Sequence, residues 1–392
     1  MEKTFKFPKG FLWGSATSAY QVEGGINNCN WSDFKNAGVA CDHYNRYKED
    51  FDLLKKLNQN AYRLSIEWSR IEPKEGEFNE KEIEHYRKVL SALKEREIVS
   101  FVTLYHFTVP LWFEKKGGWL NCKSSEYFGR YVKEMVGSLE GYVDFWTTIN
   151  EPLILASNSY FTGEWPPREK SFLKTIKVVK KLIQAHKKAY NVIHQAKREA
   201  KVSIAKSNIF FEPHHKKVAT KLLVKEANHF WNEYFLNSIK KELDFIGLNY
   251  YFHHRLKFSL SHPRNWVGYN DNKKVTDIGW EIYPEGIYRV LKDLRKYDLP
   301  VYITENGLAD AQDKFRRDFI RDHLCWIHKA IEEGIDIRGY FYWSLIDNFE
   351  WAKGYTPRFG LVEIDYNTLE RKPRSSASYY ARICKDNSLI CG

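Results

Sequence analysis

The chain has 392 residues, with 61 Lys and Arg against 50 Asp and Glu and a formal net charge of +11. This length exceeds most single cores, and barrels of alternating strands and helices are the usual exception. Aromatic residues make up 16% of the chain, including 13 Trp. Their rings suit the apolar faces of sugars as well as a protein core. The composition therefore indicates a large globular protein that is rich in aromatic packing surfaces.

The positive charge raises the question of an acidic partner, such as nucleic acid or a membrane surface. The densest basic stretch runs from Lys174 to Lys201, and its apolar residues recur at helical spacings. That pattern favours an amphipathic outer helix with a solvated lysine face. Basic residues elsewhere alternate with acidic ones. We therefore expect neither nucleic acid nor a membrane as a partner.

The cysteines and the N-terminus bear on the cellular compartment. The 6 cysteines form no CxxC pair and show no metal-ligand spacing, and a chain of this size needs no disulfide framework. The first eight residues contain no continuous apolar segment of the kind that a secretory signal carries. No window approaches the length of a membrane-spanning run. These features predict a cytoplasmic protein with free thiols.

Strand-like apolar runs alternate along the chain with amphipathic helical stretches, without a low-complexity linker. This alternation predicts a parallel sheet with crossover helices. Eight strands fit a closed barrel, whereas a doubly wound sheet would usually show a GxGxxG turn after an early strand. We expect one α/β domain over residues 1–392, a single (β/α)8 TIM barrel. The predicted strands are Phe11–Ala16, Ala61–Ile66, Val99–Tyr105, Val143–Ile149, Val202–Ser207, Phe245–Tyr250, Val301–Thr304 and Gly339–Trp343.

Polar residues lie at the ends of the predicted strands, where a barrel of this kind forms its active site. Glu151 follows the fourth strand and Glu305 follows the seventh, both after strongly apolar runs in which an unused carboxylate would be costly. Carboxylates at two matching strand ends would converge across the barrel mouth. The other polar and aromatic residues at or after strand ends are Gln21, Glu23, Arg63, His106, Asn150, Asn249, Tyr250, Tyr251, Asn306, Trp343, Glu350 and Trp351.

Two facing carboxylates are the groups that glycoside hydrolysis requires. One carboxyl donates a proton to the leaving oxygen, and the other attacks the anomeric carbon. A separation of about 5 to 5.5 Å between them gives retention through a covalent glycosyl-enzyme. A single Glu at a strand end is more often an ion-pair partner of Lys or Arg. Two at matching ends, flanked by polar and aromatic residues, favour catalysis.

Seven segments, taken together and in this order, form a specific pattern. They are Phe11-Leu-Trp-Gly-Ser-Ala-Thr-Ser-Ala-Tyr-Gln-Val-Glu-Gly24, Thr103-Leu-Tyr-His106, Thr148-Ile-Asn-Glu-Pro152, Gly247-Leu-Asn-Tyr-Tyr251, Gly279-Trp-Glu-Ile-Tyr-Pro-Glu-Gly286, Ile303-Thr-Glu-Asn-Gly307 and Tyr342-Trp-Ser-Leu-Ile-Asp-Asn-Phe-Glu-Trp351. Through them the chain resembles glycoside hydrolase family 1, the β-glucosidase family, from end to end. The resemblance implies a (β/α)8 barrel with its acid/base after strand four and its nucleophile after strand seven.

The resemblance also implies a role for each matching residue. Glu151 would be the general acid/base and Glu305 the nucleophile, while Asn150 would bind the sugar 2-hydroxyl. Tyr251 and Arg63 would keep Glu305 ionised. The implied sugar contacts are Gln21, His106, Glu350 and Trp351 for the hydroxyls, Trp343 as the floor under the ring and Phe359 at one edge.

The implied function is a retaining exo-β-glycosidase on small-molecule β-glycosides or short oligosaccharides. A β-glucosidase is the first expectation, with β-galactosides and β-fucosides as further substrates. Glu350 would repel a 6-phosphate, so phosphorylated sugars are not expected. No metal or cofactor is implied, because the acid, the nucleophile and the hydrogen-bond donors are all side chains. Two alternatives stay open, a catalytically silent sugar-binding scaffold and a transglycosidase that uses the same carboxylates.

The chain departs from the family between Pro213 and Asp244, where most members are longer. A single helix, about Val218 to Lys240, fits in this interval. The loops after Tyr251 and Glu305 are also brief, and these loops usually build the side of the pocket that receives the leaving group. We therefore expect that side to be open and weakly selective.

Overall fold

The computed structural model describes residues 3–259 and 270–391. Within these ranges eight parallel strands close into a barrel in which each strand pairs with the next and the last pairs with the first. The predicted (β/α)8 barrel is confirmed. The barrel strands are β2 (Leu12–Ala16), β3 (Ala61–Ser65), β4 (Val99–Tyr105), β5 (Phe145–Asn150), β6 (Lys201–Pro213), β7 (Ile246–Leu256), β8 (Val301–Asn306) and β9 (Ile337–Trp343).

Helices cover the outside of the barrel, and two small antiparallel ladders lie beside it. The ladders join β1 (Lys3–Lys6) to β12 (Ser388–Cys391) and β10 (Val362–Ile364) to β11 (Arg371–Pro373). The helices are α1 (Ala19–Val22), α2 (Asn30–Phe34), α3 (His43–Lys56), α4 (Trp68–Ile71), α5 (Glu80–Glu95), α6 (Leu111–Lys115), α7 (Ser124–Leu139), α8 (Pro152–Ala156), α9 (Phe172–Ala196), α10 (Val218–Asn228), α11 (Tyr234–Ile239), α12 (Glu285–Leu294), α13 (Arg316–Glu332) and α14 (Ser375–Asp386). Short 3-10 segments are Gly118–Leu120, Glu140–Tyr142, Arg295–Tyr297 and Trp351–Lys353, and π-helical turns are Ser157–Phe161 and His229–Glu233.

All eight predicted strands are present; β8 and β9 are each two residues longer than predicted, and β6 and β7 extend much further. Strands β6 and β7 run on to Pro213 and Leu256, because they continue to pair with each other above the barrel. The basic stretch forms α9, as predicted. The interval from Val218 to Ile239 is helical throughout, with a π-helical turn joining α10 to α11. The expectation of a single helix there is confirmed.

The sequence of helix α5 explains where this outer helix begins and which of its faces is buried. The side chain of Asn79 accepts hydrogen bonds from the backbone N–H groups of Lys81 and Glu82, which caps the free N-terminal end. The buried residues include Ile83, Tyr86, Leu90 and Leu93, spaced three, four and three apart. This spacing gives the helix one apolar stripe facing the barrel.

Aromatic side chains fill the inside of the barrel. The rings of Phe101 and Phe145 stack with centroids 4.0 Å apart, and Phe341 lies 4.7 Å from Phe101. Phe245 and Tyr302 complete this cluster. An eight-stranded barrel has an interior just wide enough for side chains to fill. The interior is thus a rigid base for the residues at the strand ends above it.

The thiol prediction is partly wrong. Cys29, Cys41, Cys122 and Cys384 are free, whereas Cys325 is disulfide-bonded. Disulfide formation depends on the distance between two cysteines in the fold, which sequence spacing does not reveal. No helix in the described part of the chain combines the length and apolarity needed to cross a membrane.

Gly307, directly after β8, permits a close approach between β8 and β9. A Cβ atom at this position would lie 1.8 Å from the carbonyl oxygen of Trp343. The backbone of Gly307 is not left-handed, so the contact alone excludes a side chain. This explains in physical terms why the segment Ile303–Gly307 ends in glycine.

We predict that Gly307→Ala lowers the free energy of unfolding by about 1–3 kcal/mol, the usual cost of forcing extra atoms into a packed site. Denaturant unfolding measures the change. Gly141→Ala is the matched control, because a Cβ at Gly141 would meet no described atom within 4 Å. Equal stability of the two variants would contradict the close approach.

Candidate active site

A cavity of about 460 Å³ opens at the C-terminal ends of the barrel strands. The structure brings nine of the predicted residues to its wall, namely His106, Asn150, Glu151, Tyr251, Glu305, Trp343, Glu350, Trp351 and Phe359. Arg63 and Gln21 lie behind the wall and bind residues that line it. Glu23 is elsewhere, in contact with Arg70 and Tyr86.

Glu305, near the end of β8, is held by two partners from other strands. The guanidinium of Arg63, on β3, forms an ion pair with one carboxylate oxygen. The hydroxyl of Tyr251, on β7, donates to the other oxygen at 2.9 Å. Burial raises the pKa of Glu305, and both partners oppose that rise. They stabilise the ionised form of this carboxyl.

Glu151 directly follows β5 and has a left-handed backbone, with φ +42°. Its N–H donates to the carbonyl oxygen of Ala205 on β6 at 2.8 Å. Its side chain accepts a hydrogen bond from Nδ2 of Asn249 at 3.0 Å. A left-handed residue other than glycine is strained by about 1–3 kcal/mol and persists only where the surroundings enforce it.

The two carboxyls differ in their electrostatic surroundings. Burial and then the charge of Glu305 raise the pKa of Glu151 to about 8. Asn249, Arg63 and Lys206 act in the opposite direction. Among the described residues none forms an ion pair with Glu151, whereas Glu305 has Arg63. Glu151 therefore holds a proton more readily than Glu305 does.

A hydrogen-bonded chain runs from Arg63 to His106. Nη2 of Arg63 donates to Oδ1 of Asn150 at 2.7 Å, and Nδ2 of Asn150 donates to Nε2 of His106 at 3.1 Å. Burial and the charge of Arg63 hold the pKa of His106 well below its usual value. The ring is therefore neutral and carries its proton on Nδ1. That buried N–H has no hydrogen-bond partner in the described part of the chain.

Glu350, after β9, is a further carboxyl in the wall of the cavity. Nε2 of Gln21 donates to it at 3.2 Å and also lies within hydrogen-bond distance of Asn348 and Phe349. Burial, then the charges of Glu305 and Glu151, raise the pKa of Glu350 to about 8. Ser18 donates to the amide oxygen of Gln21. Gln21 thus supports Glu350, and its direct contact with the sugar stays a prediction.

Aromatic rings form the walls. Trp343 and Trp351 both lie near His106, with ring centroids 6.0 and 5.9 Å from the centre of its ring and interplanar angles of 25° and 16°. Phe359 lies 6.1 Å from Trp280 and 6.5 Å from Tyr251. Flat apolar faces beside polar donors and acceptors match the surface of a sugar ring.

Sequence reasoning assigned no role to several residues that build the site. Asn249 accepts from Thr304 at 2.7 Å, which leaves its amide N–H groups for Glu151. Asn249 and Trp280 both lie in segments that carry the family resemblance, and this is the signal that could have identified them. The other cavity-lining residues include Phe107, Ile154, Asn158, Glu164, Trp165 and Phe252.

Comparisons with known proteins agree with this geometry. The family model "Glycosyl hydrolase family 1" matches residues 3–241 and 236–389. β-Glucosidase A of Thermotoga maritima is 36% identical over 440 aligned positions, which cover 98% of this chain and 99% of that protein. A β-glycosidase structure from Pyrococcus horikoshii has a TM-score of 0.94 and 38% identity, covering 99% of this chain and 96% of that one. A Thermotoga maritima β-glucosidase in complex with glucoimidazole has a TM-score of 0.91 and 35% identity, covering 97% and 99%. The chain is a glycoside hydrolase and belongs to glycosyl hydrolase family 1.

Proposed function

We propose that this enzyme is a retaining exo-β-glycosidase, first of all a β-glucosidase, with Glu305 as nucleophile and Glu151 as general acid/base. The proposal rests on the difference between the surroundings of the two carboxyls. Arg63 and Tyr251 favour the carboxylate form of Glu305, while burial and the neighbouring charge favour the protonated form of Glu151. A nucleophile must be ionised and an acid must be protonated. The proposal takes residues 1–392 as one catalytic domain.

In the first step the Glu305 carboxylate attacks the anomeric carbon. The bond to the leaving oxygen breaks as Glu151 transfers its proton to that oxygen, and the alcohol departs. In the second step water attacks the same carbon and gives a proton to the Glu151 carboxylate. The bond to Glu305 breaks, and the sugar leaves with its original anomeric configuration.

The polar groups around the cavity support a neutral hexose as the sugar. The carboxyl of Glu350 can bind a hydroxyl, the side chain of His106 lines the cavity, and Asn150 lies next to the acid/base where the 2-hydroxyl is expected. Glu350 makes a 6-phosphate unfavourable. The similar proteins named β-glucosidase, one of them in complex with glucoimidazole, support glucose as the first sugar. We include β-galactosides and β-fucosides as further substrates.

We predict turnover of nitrophenyl β-glucoside, galactoside or fucoside, and none of nitrophenyl 6-phospho-β-glucoside. Glu305→Ala should remove this activity, because no carboxylate is left to attack the anomeric carbon. A panel of nitrophenyl glycosides, with folding checked by circular dichroism, measures both. Turnover by folded Glu305→Ala at the wild-type rate would contradict the assignment.

Glu151→Ala should slow hydrolysis to an extent that depends on the leaving group of the substrate. A dinitrophenolate leaves with little protonation, so its release should be slowed far less than that of an alkyl alcohol. The ratio of kcat/KM for dinitrophenyl and methyl β-glucosides measures the difference. Equal losses on the two substrates would show that Glu151 is not the acid.

The pH profile of kcat/KM should be bell-shaped. Activity should fall as pH rises through about 8, because Glu151 then loses the proton that it must donate. It should also fall at low pH, where Glu305 becomes protonated. Initial rates on nitrophenyl β-glucoside between pH 4 and pH 10, at roughly half-unit steps, give both limbs. Constant activity across the alkaline range would contradict the role of Glu151.

A further inference from the structure

A cluster of charged side chains lies beside the cavity and is separate from the carboxyls described above. Its centre is Glu281, whose side chain is 6% exposed. Nη1 of Arg255 lies 3.0 and 3.1 Å from the two oxygens of Glu281, and Nδ1 of His253 lies 2.8 Å from one of them. Arg255 and His253 also contact Glu212, at 2.8 and 3.0 Å. Hydrogen bonds between charged groups are among the strong ones in proteins, so this carboxylate is firmly attached to β7.

The part of β7 that continues above the barrel carries both partners of this carboxylate. His253 and Arg255 are in register with Phe210 and Glu212 of β6, so the backbone ladder continues through them. The His253 ring stacks on the rings of Phe210 and Tyr283, with centroids 5.3 and 3.9 Å away. The extended strands are therefore a rigid support beside the cavity.

Glu281 directly follows Trp280, which lies in a tight turn. Val275 and Glu281 form an antiparallel bridge at the start and end of this turn. Within it the N–H of Thr276 donates to the carbonyl oxygen of Trp280 at 2.8 Å, and the N–H of Trp280 donates to Oγ1 of Thr276 at 3.1 Å. Gly279 supplies the left-handed residue of the turn, with φ +82°. Because the turn is closed by these bonds, the contacts that fix Glu281 also fix the backbone of Trp280.

The side chain of Trp280 lines the cavity together with Phe252. Its ring centroid lies 4.6 Å from that of Phe252 and 5.8 Å from that of Tyr251. Trp280 is half-buried, whereas Trp343 is 3% exposed, so Trp280 lies nearer to the opening of the cavity. An exo-acting enzyme takes the terminal sugar into the closed end of its cavity, and the leaving group then points towards the opening. Trp280 is therefore placed to contact the leaving group.

We propose that Glu281 is a positioning residue that sets the selectivity for the leaving group. Through its contacts with Arg255 and His253 it holds the ring of Trp280 against the leaving group, which gives a preference for leaving groups with a flat apolar face. Aryl rings and a second pyranose both have such a face, and an aromatic ring packs well against either. The inference rests on the proposed function, which defines where the leaving group lies. It differs from the weak selectivity that the brief loops predict.

The test compares two substrates whose leaving groups are both primary alcohols, 2-phenylethyl β-glucoside and ethyl β-glucoside. They differ only in the phenyl ring, so the ratio of their kcat/KM values measures what the ring contributes. Glu281→Ala should lower this ratio by about fivefold, which is within the range of one aromatic contact. A general loss of active enzyme lowers kcat/KM on both substrates alike and leaves the ratio unchanged.

A double-mutant cycle tests whether Glu281 acts through Trp280. Trp280→Ala should lower the same ratio at least as much as Glu281→Ala does. The double variant should show no further loss, because both changes remove the same contact and residues that act together are not additive. Additive losses in the double variant would overturn the inference.

Three further variants control for charge and folding. Arg255→Met removes the main partner of Glu281 and should lower the ratio as Glu281→Ala does. Glu281→Gln keeps the length of the side chain and one accepting oxygen, so it should retain most of the wild-type ratio. Arg289→Met removes an arginine of α12 that is ion-paired with Glu285 on the exposed side of the helix, and it should leave the ratio unchanged.

The same assays separate the two proposals. If the wild-type enzyme hydrolyses neither glucoside, or if folded Glu305→Ala keeps the wild-type rate, the proposed function is wrong and the inference fails with it. If the wild-type enzyme hydrolyses both glucosides and Glu305→Ala does not, the proposed function stands. An unchanged ratio in folded Glu281→Ala and Arg255→Met would then show that only the inference about Glu281 is wrong.

Discussion

The ion pair between Arg63 and Glu305 is the interaction on which the rest of the site depends. Both side chains are buried, and a buried carboxylate without a cation would take up a proton. Removing one partner of such a pair typically costs about 3–5 kcal/mol, because the other charge is left buried and unpaired. Arg63 also binds Asn150, the residue before Glu151. One guanidinium on β3 therefore fixes the ends of β5 and β8 relative to each other.

The rigid barrel allows the site to contain strained backbone. Glu151, Phe107 and Trp351 all line the cavity with left-handed φ values of 42°, 72° and 48°. Such conformations persist where the surrounding structure enforces them. The stacked rings of Phe101 and Phe145 fill the barrel beneath, and the strand ladders hold the chain on either side. The close packing inside the barrel thus holds these three strained backbone conformations in place.

The sequence predicted the barrel and most of the residues that line the cavity, because both depend on short patterns of apolar and polar residues along the chain. Polar residues after apolar runs mark strand ends, and strand ends meet at one face. Contacts between distant segments were not predictable in this way. The hydrogen bond from Gln21 to Glu350, which is 329 residues away along the chain, is one example. Lys206 shares a face of β6 with Val202 and Ile204, and its burial beside Trp231 was likewise not visible in the sequence.

The burial of the cavity affects catalysis through the protonation of the carboxyls that line it. Burial raises the pKa values of three of the carboxyls that line the cavity, those of Glu151, Glu305 and Glu350. Among the described residues a direct cation stabilises only Glu305, which favours its charged form over those of Glu151 and Glu350. A protonated Glu350 can donate to a hydroxyl as well as accept from one. The sugar becomes positively charged only in the transition state. A cavity of this kind binds a neutral sugar through hydrogen bonds and stabilises the developing charge with one fixed carboxylate. It therefore favours the transition state over the substrate.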